Sequence, residues 1–171
     1  MLPLSKIDYV LYSKKDITAT PAEVNYFDTT AGTNLPTPNT LPQNWKKFMI
    51  ETIKLFINPS PAYSTTDFVS FMKNSYFQMT ISNYVILEKN ITELLDFKWA
   101  HTSLPLTASN VYEISDATHS EGRGFLKLEK PIVLEPNINF TFKIYFASYA
   151  NINGANTYLL LRGILEKEIS G

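Results

Sequence analysis

The sequence contains no cysteine, and this absence removes a group of structures and chemistries. Disulfide bonds, thiolate metal sites and cysteine nucleophiles are excluded, so stability must come from packing and backbone pairing. No apolar stretch reaches the roughly 18 residues that a transmembrane helix needs. Residues 1–6 lack the charged start and apolar run of a signal peptide, so we expect no standard secretion signal.

Charged side chains are also scarce. They make up 18% of the 171 residues, where about 25% is usual, and the net charge is −1. Lys14 with Lys15 and Lys46 with Lys47 are isolated pairs, and no basic patch or stripe is visible along the chain. A genome-binding role is therefore not favoured. A surface with little charge is less costly to desolvate, which suits contact with other proteins.

Alternation of apolar and polar residues predicts an all-β domain. The clearest case is residues 138–146, where every second side chain is apolar, as in a half-buried antiparallel strand. The other predicted strands are residues 7–12, 48–57, 76–81, 84–87, 111–114, 125–134 and 158–166. Without βαβ alternation or an internal repeat, this pattern predicts a two-sheet sandwich or a jelly roll. The fold that we expect is a single jelly-roll β-sandwich of two antiparallel sheets and about eight strands.

Several predicted strands carry local irregularities. The phase of residues 48–57 slips near Glu51 and Thr52, which predicts a β-bulge; a strand buried on both faces is the alternative. Pro131 confines its strand to an edge or a bulge at that point, and Gly163 predicts a bulge or a close backbone approach. Residues 84–87 are expected to pair with residues 76–81 across a turn at Ser82 and Asn83.

One short helix is expected beside the strands. Ser64 is a suitable N-cap, and Phe68, Phe71 and Met72 then form one apolar face at helical spacing. Residues 91–95 are interpreted as a further turn of helix.

The N-terminal part of the chain is rich in proline. Pro21, Pro36, Pro38 and Pro42 remove backbone donors, so little regular structure is expected there beyond an extended piece near residues 23–28. We therefore predict an N-terminal strand and an extended, irregular arm over residues 1–45, followed by a jelly-roll domain over residues 46–171. The arm and the domain are expected to form one structural unit, with a mobile linker as the alternative for the arm.

No set of residues with the pattern of a catalytic or metal site is found. A metal site needs three or four converging donors, whereas His101 and His119 lie in polar, turn-rich segments. His119 and Glu121 could be a ligand pair, but there is no second histidine cluster. Glu113 and Asp116 could form a glycosidase pair, but such side chains more often face solvent. The sequence has no P-loop and no nucleophile-elbow motif. We predict no catalytic, cofactor-binding or metal-binding residues, no cofactor and no enzyme activity.

Aromatic residues are abundant, with 11 Phe and 10 Tyr. Most of the phenylalanines fall on predicted inner faces, which favours core packing. Tyr145, Tyr149 and Tyr158 are expected at the surface or at interfaces, where tyrosine is enriched. An exposed aromatic stripe could also stack on sugars or on bases.

Two C-terminal segments and their order carry a family resemblance. The segment KPIVLEPNINF, residues 130–140, runs into the strongly alternating strand, and a polar loop then leads to LLLRGILE, residues 159–166. Upstream, Leu41 and Pro42 precede the strong strand of residues 48–57, and a short helix and NSYFQMTI, residues 74–81, follow it. This order resembles that of jelly-roll capsid proteins from tailless icosahedral bacteriophages.

The resemblance implies a structural virion protein. With length for one jelly roll, the chain would be a single-jelly-roll major capsid protein or a penton protein, located in the virion after synthesis in the cytoplasm of a bacterial host. Its partners would be copies of itself and other capsid proteins, in trimer- or hexamer-like units or in pentamers, with no specific nucleic acid. The N-terminal arm would contact a neighbouring subunit or an internal membrane.

The expected contact regions follow from loop position. They are the arm, residues 104–110 and residues 149–156. The alternative function is a carbohydrate- or receptor-binding jelly-roll module, such as a phage spike or fibre head. That function would need exposed coplanar aromatics or a calcium site, and Trp45 and Trp99 would report sugar binding by fluorescence.

Overall fold

Eight strands form two antiparallel sheets in the computed structural model, which describes residues 4–17, 22–58, 74–94, 125–146 and 156–168. The strands are β1 (Leu4–Asp16), β2 (Glu23–Tyr26), β3 (Trp45–Asn58), β4 (Tyr76–Ile81), β5 (Tyr84–Asn90), β6 (Leu126–Leu134), β7 (Phe140–Tyr145) and β8 (Asn156–Glu168). A 3-10 helix (Ile91–Glu93) follows β5. Sheet A has the strand order β1-β8-β3-β6, and sheet B has the order β2-β7-β4-β5.

Strand pairing is nested along the chain. β1 pairs with β8, β2 with β7, β3 with β6 and β4 with β5, and all four pairs are antiparallel. The outermost pair lies in sheet A, the next in sheet B, and the alternation continues inward to the β4–β5 hairpin. Each sheet therefore contains strands from both ends of the chain, so its pairings are mostly non-local in sequence.

The two sheets enclose one apolar core, as the alternating sequence pattern requires. Buried side chains alternate with less buried ones along β7 and most of β8. The inner rings of Phe77 and Phe142 stack with 5.4 Å between centroids and an interplanar angle of 1°. The predicted β-sandwich of two antiparallel sheets is confirmed. Fully buried core side chains from both sheets include Leu11, Phe48, Ile53, Met79 and Leu161.

The predicted irregularities occur where the sequence indicated. The register of β3 against both β6 and β8 shifts between Ile50 and Thr52, which is the expected bulge. Pro131 lies in β6, which is an edge strand of sheet A among the described residues, and a missing backbone donor is tolerated there. Gly163 of β8 approaches the β3 backbone so closely that a Cβ atom there would lie 1.7 Å from the Met49 carbonyl oxygen.

The first 45 residues, where the structure describes them, contribute strands to both sheets. β1 pairs along its whole length with β8, and β2 occupies the extended piece that was predicted near residues 23–28. The strand-free part between β2 and β3 also contributes the buried side chains Phe27, Leu35 and Leu41 to the core. An extended arm is not confirmed by these residues. The predicted helix at Ser64–Met72 and the strand at residues 111–114 lie outside the described residues.

A buried polar chain links the sheets at one end of the core. The Tyr26 hydroxyl of sheet B donates a hydrogen bond to Thr157 Oγ1 of sheet A at 2.7 Å. The Thr157 hydroxyl in turn donates a hydrogen bond to the Lys15 carbonyl oxygen at 3.1 Å. Burial raises the pKa of the Tyr26 phenol, so the hydroxyl stays protonated and available as a donor. This chain fixes how β2 lies over β1 and β8.

Candidate interaction surfaces

Most of the residues that were considered for metal binding or catalysis lie in segments that the structure does not describe. These are His101, Glu113, Asp116, His119 and Glu121. Among the residues that are described, no cluster of three or more histidine, aspartate or glutamate side chains could hold a metal ion. No helix in the described part of the chain has the length and apolarity needed to span a membrane.

Two of the three tyrosines expected at the surface are described, and they lie on opposite faces of the sandwich. Tyr145 is on the outer face of sheet B and stacks on Tyr76, with 4.8 Å between ring centroids and an interplanar angle of 18°. Tyr158 is on the outer face of sheet A and is 39% exposed. Tyr149 falls outside the described ranges, as do residues 104–110 and all of residues 149–156 except Asn156.

The outer face of sheet B is polar and internally paired. Lys143 Nζ lies 3.0 Å from a Glu23 carboxylate oxygen, and the Gln78 amide donates to Glu88 at 2.7 Å. The Lys143 partner lowers the pKa of Glu23, so this carboxylate stays ionised. Because these groups satisfy one another, the face gives an incoming partner few unpaired charges.

The β4–β5 hairpin ends in an exposed apolar run. Ser82 and Asn83 both have positive φ, 49° and 70°, as in the two-residue turns that match strand twist. The three residues after the turn, Tyr84, Val85 and Ile86, are 75%, 54% and 46% exposed. We call these three residues the hairpin edge. Three consecutive exposed apolar residues are unusual on a soluble domain and generally serve a contact.

The backbone at the hairpin edge is also available for pairing. β5 is the last strand of sheet B among the described residues, so one side of its backbone has no strand partner there. Natural edge strands are usually protected by charged side chains or proline. In β5 the charged residues, Glu88 and Lys89, lie toward the far end of the strand, and the part next to the turn has none. The hairpin edge therefore combines apolar side chains with an open strand edge.

A second exposed surface lies on the outer face of sheet A. Three adjacent rows of paired residues across its strands contain four cations and three aromatic rings. Carboxylate residues border these rows, among them Asp16 in the next row and Glu51, an exposed residue of the bulge beside Thr52. We call this block the basic aromatic face. Its rows are Val10, Arg162, Thr52 and Lys127; then Tyr12, Leu160 and Lys54; then Lys14, Tyr158 and Phe56.

Cations and rings alternate closely within the basic aromatic face. Lys54 Nζ lies 4.5 Å from the Phe56 ring centroid, and Lys14 Nζ lies 5.7 Å from the Tyr158 centroid. Exposed cation–π contacts of this kind are weak. Lys14 also approaches Asp16, in the next row, at 3.4 Å. The interactions are individually weak, so the lysine heads can exchange them for a stronger anionic partner.

Glu166 lies further along the outer face of sheet A and is almost fully buried between two lysines. Its carboxylate oxygens are each 3.3 Å from an ammonium group, one from Lys6 on β1 and one from Lys47 on β3. Burial alone would raise the pKa of the Glu166 carboxyl, but the two lysine hydrogen bonds outweigh it and lower the pKa below 4.5. This triad joins the three strands β1, β8 and β3 through charge.

Replacing Glu166 by glutamine is expected to reduce the loss of stability in acid. Because the folded pKa lies below the unfolded one, the carboxylate stabilises the fold above pH 4.5, and this stabilisation is lost as pH falls through the lowered folded value. Urea unfolding at a series of pH values should show a shallower acid decline for Glu166→Gln than for wild type. If the free energy of unfolding fell equally with decreasing pH in the variant and in wild type, the ion pairs of Glu166 with Lys6 and Lys47 would be contradicted.

The fold and these surfaces define an all-β sandwich protein with two exposed surfaces of different chemistry, one apolar and one cationic. Comparison with known proteins adds no closer assignment. No protein-family model matches the chain, and no curated protein sequence matches it either.

Proposed function

We propose that this chain is a single-jelly-roll capsid subunit of a tailless icosahedral bacteriophage, as a major capsid or penton protein, and that it assembles through symmetric contacts between copies. The nested pairing of β1 with β8, β2 with β7, β3 with β6 and β4 with β5 supports the jelly roll. This fold is a long antiparallel hairpin rolled into two four-stranded sheets. The order of the C-terminal segments in the sequence supports the same family.

A jelly roll alone does not define a function, since the fold hosts lectins and enzymes as well as capsid subunits. The observation that carries the assembly proposal is the hairpin edge, where Tyr84, Val85 and Ile86 are exposed on an edge strand. Tyrosine is enriched at protein interfaces, and apolar side chains beside it supply the buried core of a contact. Such a contact closes a ring when the hairpin edge of each subunit meets a complementary surface of the next subunit and the rotation between them closes.

Sedimentation velocity at increasing protein concentration tests this proposal. We expect wild-type protein to form a discrete oligomer, and Val85→Asp to raise its dissociation constant at least about tenfold, because an unpaired carboxylate would be buried in the contact. A wild-type chain that stays monomeric at high concentration would contradict the proposal.

The matched control for this experiment is Val133→Asp. Val133 is also an exposed valine on an edge strand, at 42% exposure, but it lies in β6 of sheet A. The control variant should assemble as wild type does. Equal weakening by both substitutions would mean that added negative charge, and not the hairpin edge, controls association.

A further inference from the structure

The basic aromatic face brings together cations that the linear sequence keeps apart. Lys14 lies on β1, Lys54 on β3 and Arg162 on β8, and antiparallel pairing places the three strands side by side. One of the four cations, Lys14, lies 3.4 Å from the Asp16 carboxylate in the next row. The chain as a whole has a net charge of −1, so the other three cations in one block are a local concentration of positive charge. Charge complementarity therefore selects an anionic partner for this face.

Aromatic rings narrow the chemistry of that partner. Tyr12, Phe56 and Tyr158 are 42%, 39% and 39% exposed and occupy neighbouring rows among the cations. Single-stranded nucleic acid offers phosphates for the cations and unpaired base faces for the rings, and sheet surfaces of this composition are common platforms for it. In duplex DNA the base faces are stacked on one another, so the rings would contribute nothing.

The lysine heads that lie over the rings do not prevent such binding. Lys54 over Phe56 and Lys14 over Tyr158 are exposed cation–π contacts, which are weaker than stacking of a base on an aromatic ring. A lysine that leaves its ring can contact the phosphate beside the stacked base, because its side chain is long and flexible. The unbound arrangement therefore already places each of these ammonium groups next to a stacking surface.

A lipid surface fits the face less well. Binding to a membrane interface requires apolar groups that enter the headgroup region by about 5–10 Å. Here the three aromatic residues are each less than half exposed and stand among cations, so they offer little apolar area to enter that region.

We propose that the basic aromatic face binds single-stranded nucleic acid without sequence preference, with its cations on phosphates and its rings stacked on bases. The inference goes beyond the proposed function and does not depend on assembly. Nucleic acid of the virion interior would be the corresponding ligand if both hold. A chain that binds single strands but remains monomeric would retain this inference and overturn the capsid proposal.

Fluorescence anisotropy of a labelled oligothymidylate with the full chain at low salt tests the inference. We expect binding that weakens with salt, and Tyr158→Ala should raise the dissociation constant at least about fivefold. Tyr158→Phe should bind as wild type does, because it keeps the ring. Lys54→Gln and Arg162→Gln should each reduce the slope of log affinity against log salt by about 0.7.

Matched variants on sheet B control for general effects on charge and folding. Tyr76→Ala removes a ring with 40% exposure from the opposite face, and Lys89→Gln removes an exposed cation from β5. Both should bind the oligonucleotide as wild type does, and all variants should keep the wild-type circular dichroism spectrum.

Several outcomes would overturn the inference. They are absence of oligothymidylate binding, equal binding of duplex DNA or polyglutamate, unchanged affinity in Tyr158→Ala, and equal loss in Tyr76→Ala. Binding to phosphatidylglycerol vesicles in preference to the oligonucleotide would assign the face to lipid and would also overturn it.

Discussion

Gly163→Ala is expected to lower the free energy of unfolding by about 3 kcal/mol or more, at the upper end of what overpacking costs. A Cβ atom at this position would lie 1.7 Å from the Met49 carbonyl oxygen, 2.7 Å from its carbon and 3.0 Å from Ile50 Cα. These are backbone atoms of β3, so no side chain can rotate away. The bulge between Ile50 and Thr52 must move instead, and it anchors β3 to both β6 and β8.

Urea unfolding followed by circular dichroism measures this loss. Arg162→Ala is the matched control, because Arg162 precedes Gly163 on β8 and is exposed. Its effect should stay within about 0.5 kcal/mol, as for most surface substitutions. If Gly163→Ala were as mild as this control, β8 would not approach the Met49 backbone as described.

Phe142→Ala is expected to be similarly damaging, with a loss of about 3–5 kcal/mol in the free energy of unfolding. Phe142 is fully buried on β7, between β2 and β4, and its ring stacks on Phe77. Truncation leaves a cavity in the core beneath β7. The neighbouring strands cannot close this cavity, because backbone hydrogen bonds hold them in place.

Phe56→Ala provides the comparison for the same chemical change at the surface. The Phe56 side chain is 39% exposed on the outer face of sheet A, so its removal leaves no enclosed cavity. Thermal or urea unfolding should show less than half of the Phe142→Ala effect. Equal losses at the two positions would mean that Phe142 does not lie in the core between the sheets.

Much of the sandwich could be predicted because side-chain alternation reports directly which face of a strand is buried. Phe140, Phe142 and Ile144 were predicted on one face, and all three are buried. The slip of phase near Glu51 likewise predicted the bulge, since an extra residue must appear as a change of period. These signals are local, so they can be found in a single sequence.

The hairpin edge and the basic aromatic face depend on information that is not local. Tyr84, Val85 and Ile86 form a continuous apolar run, which in a sequence is typical of a buried strand. Only the sheet order shows that β5 is the last strand of sheet B. In the same way, four cations come onto one outer face only through the pairing of β1, β8, β3 and β6, which the linear sequence does not show; they are Lys14, Lys54, Lys127 and Arg162.

Electron cryomicroscopy of the purified oligomer tests the central claim of symmetric assembly most directly. We expect a closed ring or shell in which Tyr84, Val85 and Ile86 of each copy are buried against a neighbouring copy. Particles that remain single subunits, or a symmetric contact that leaves the hairpin edge exposed to solvent, would contradict it.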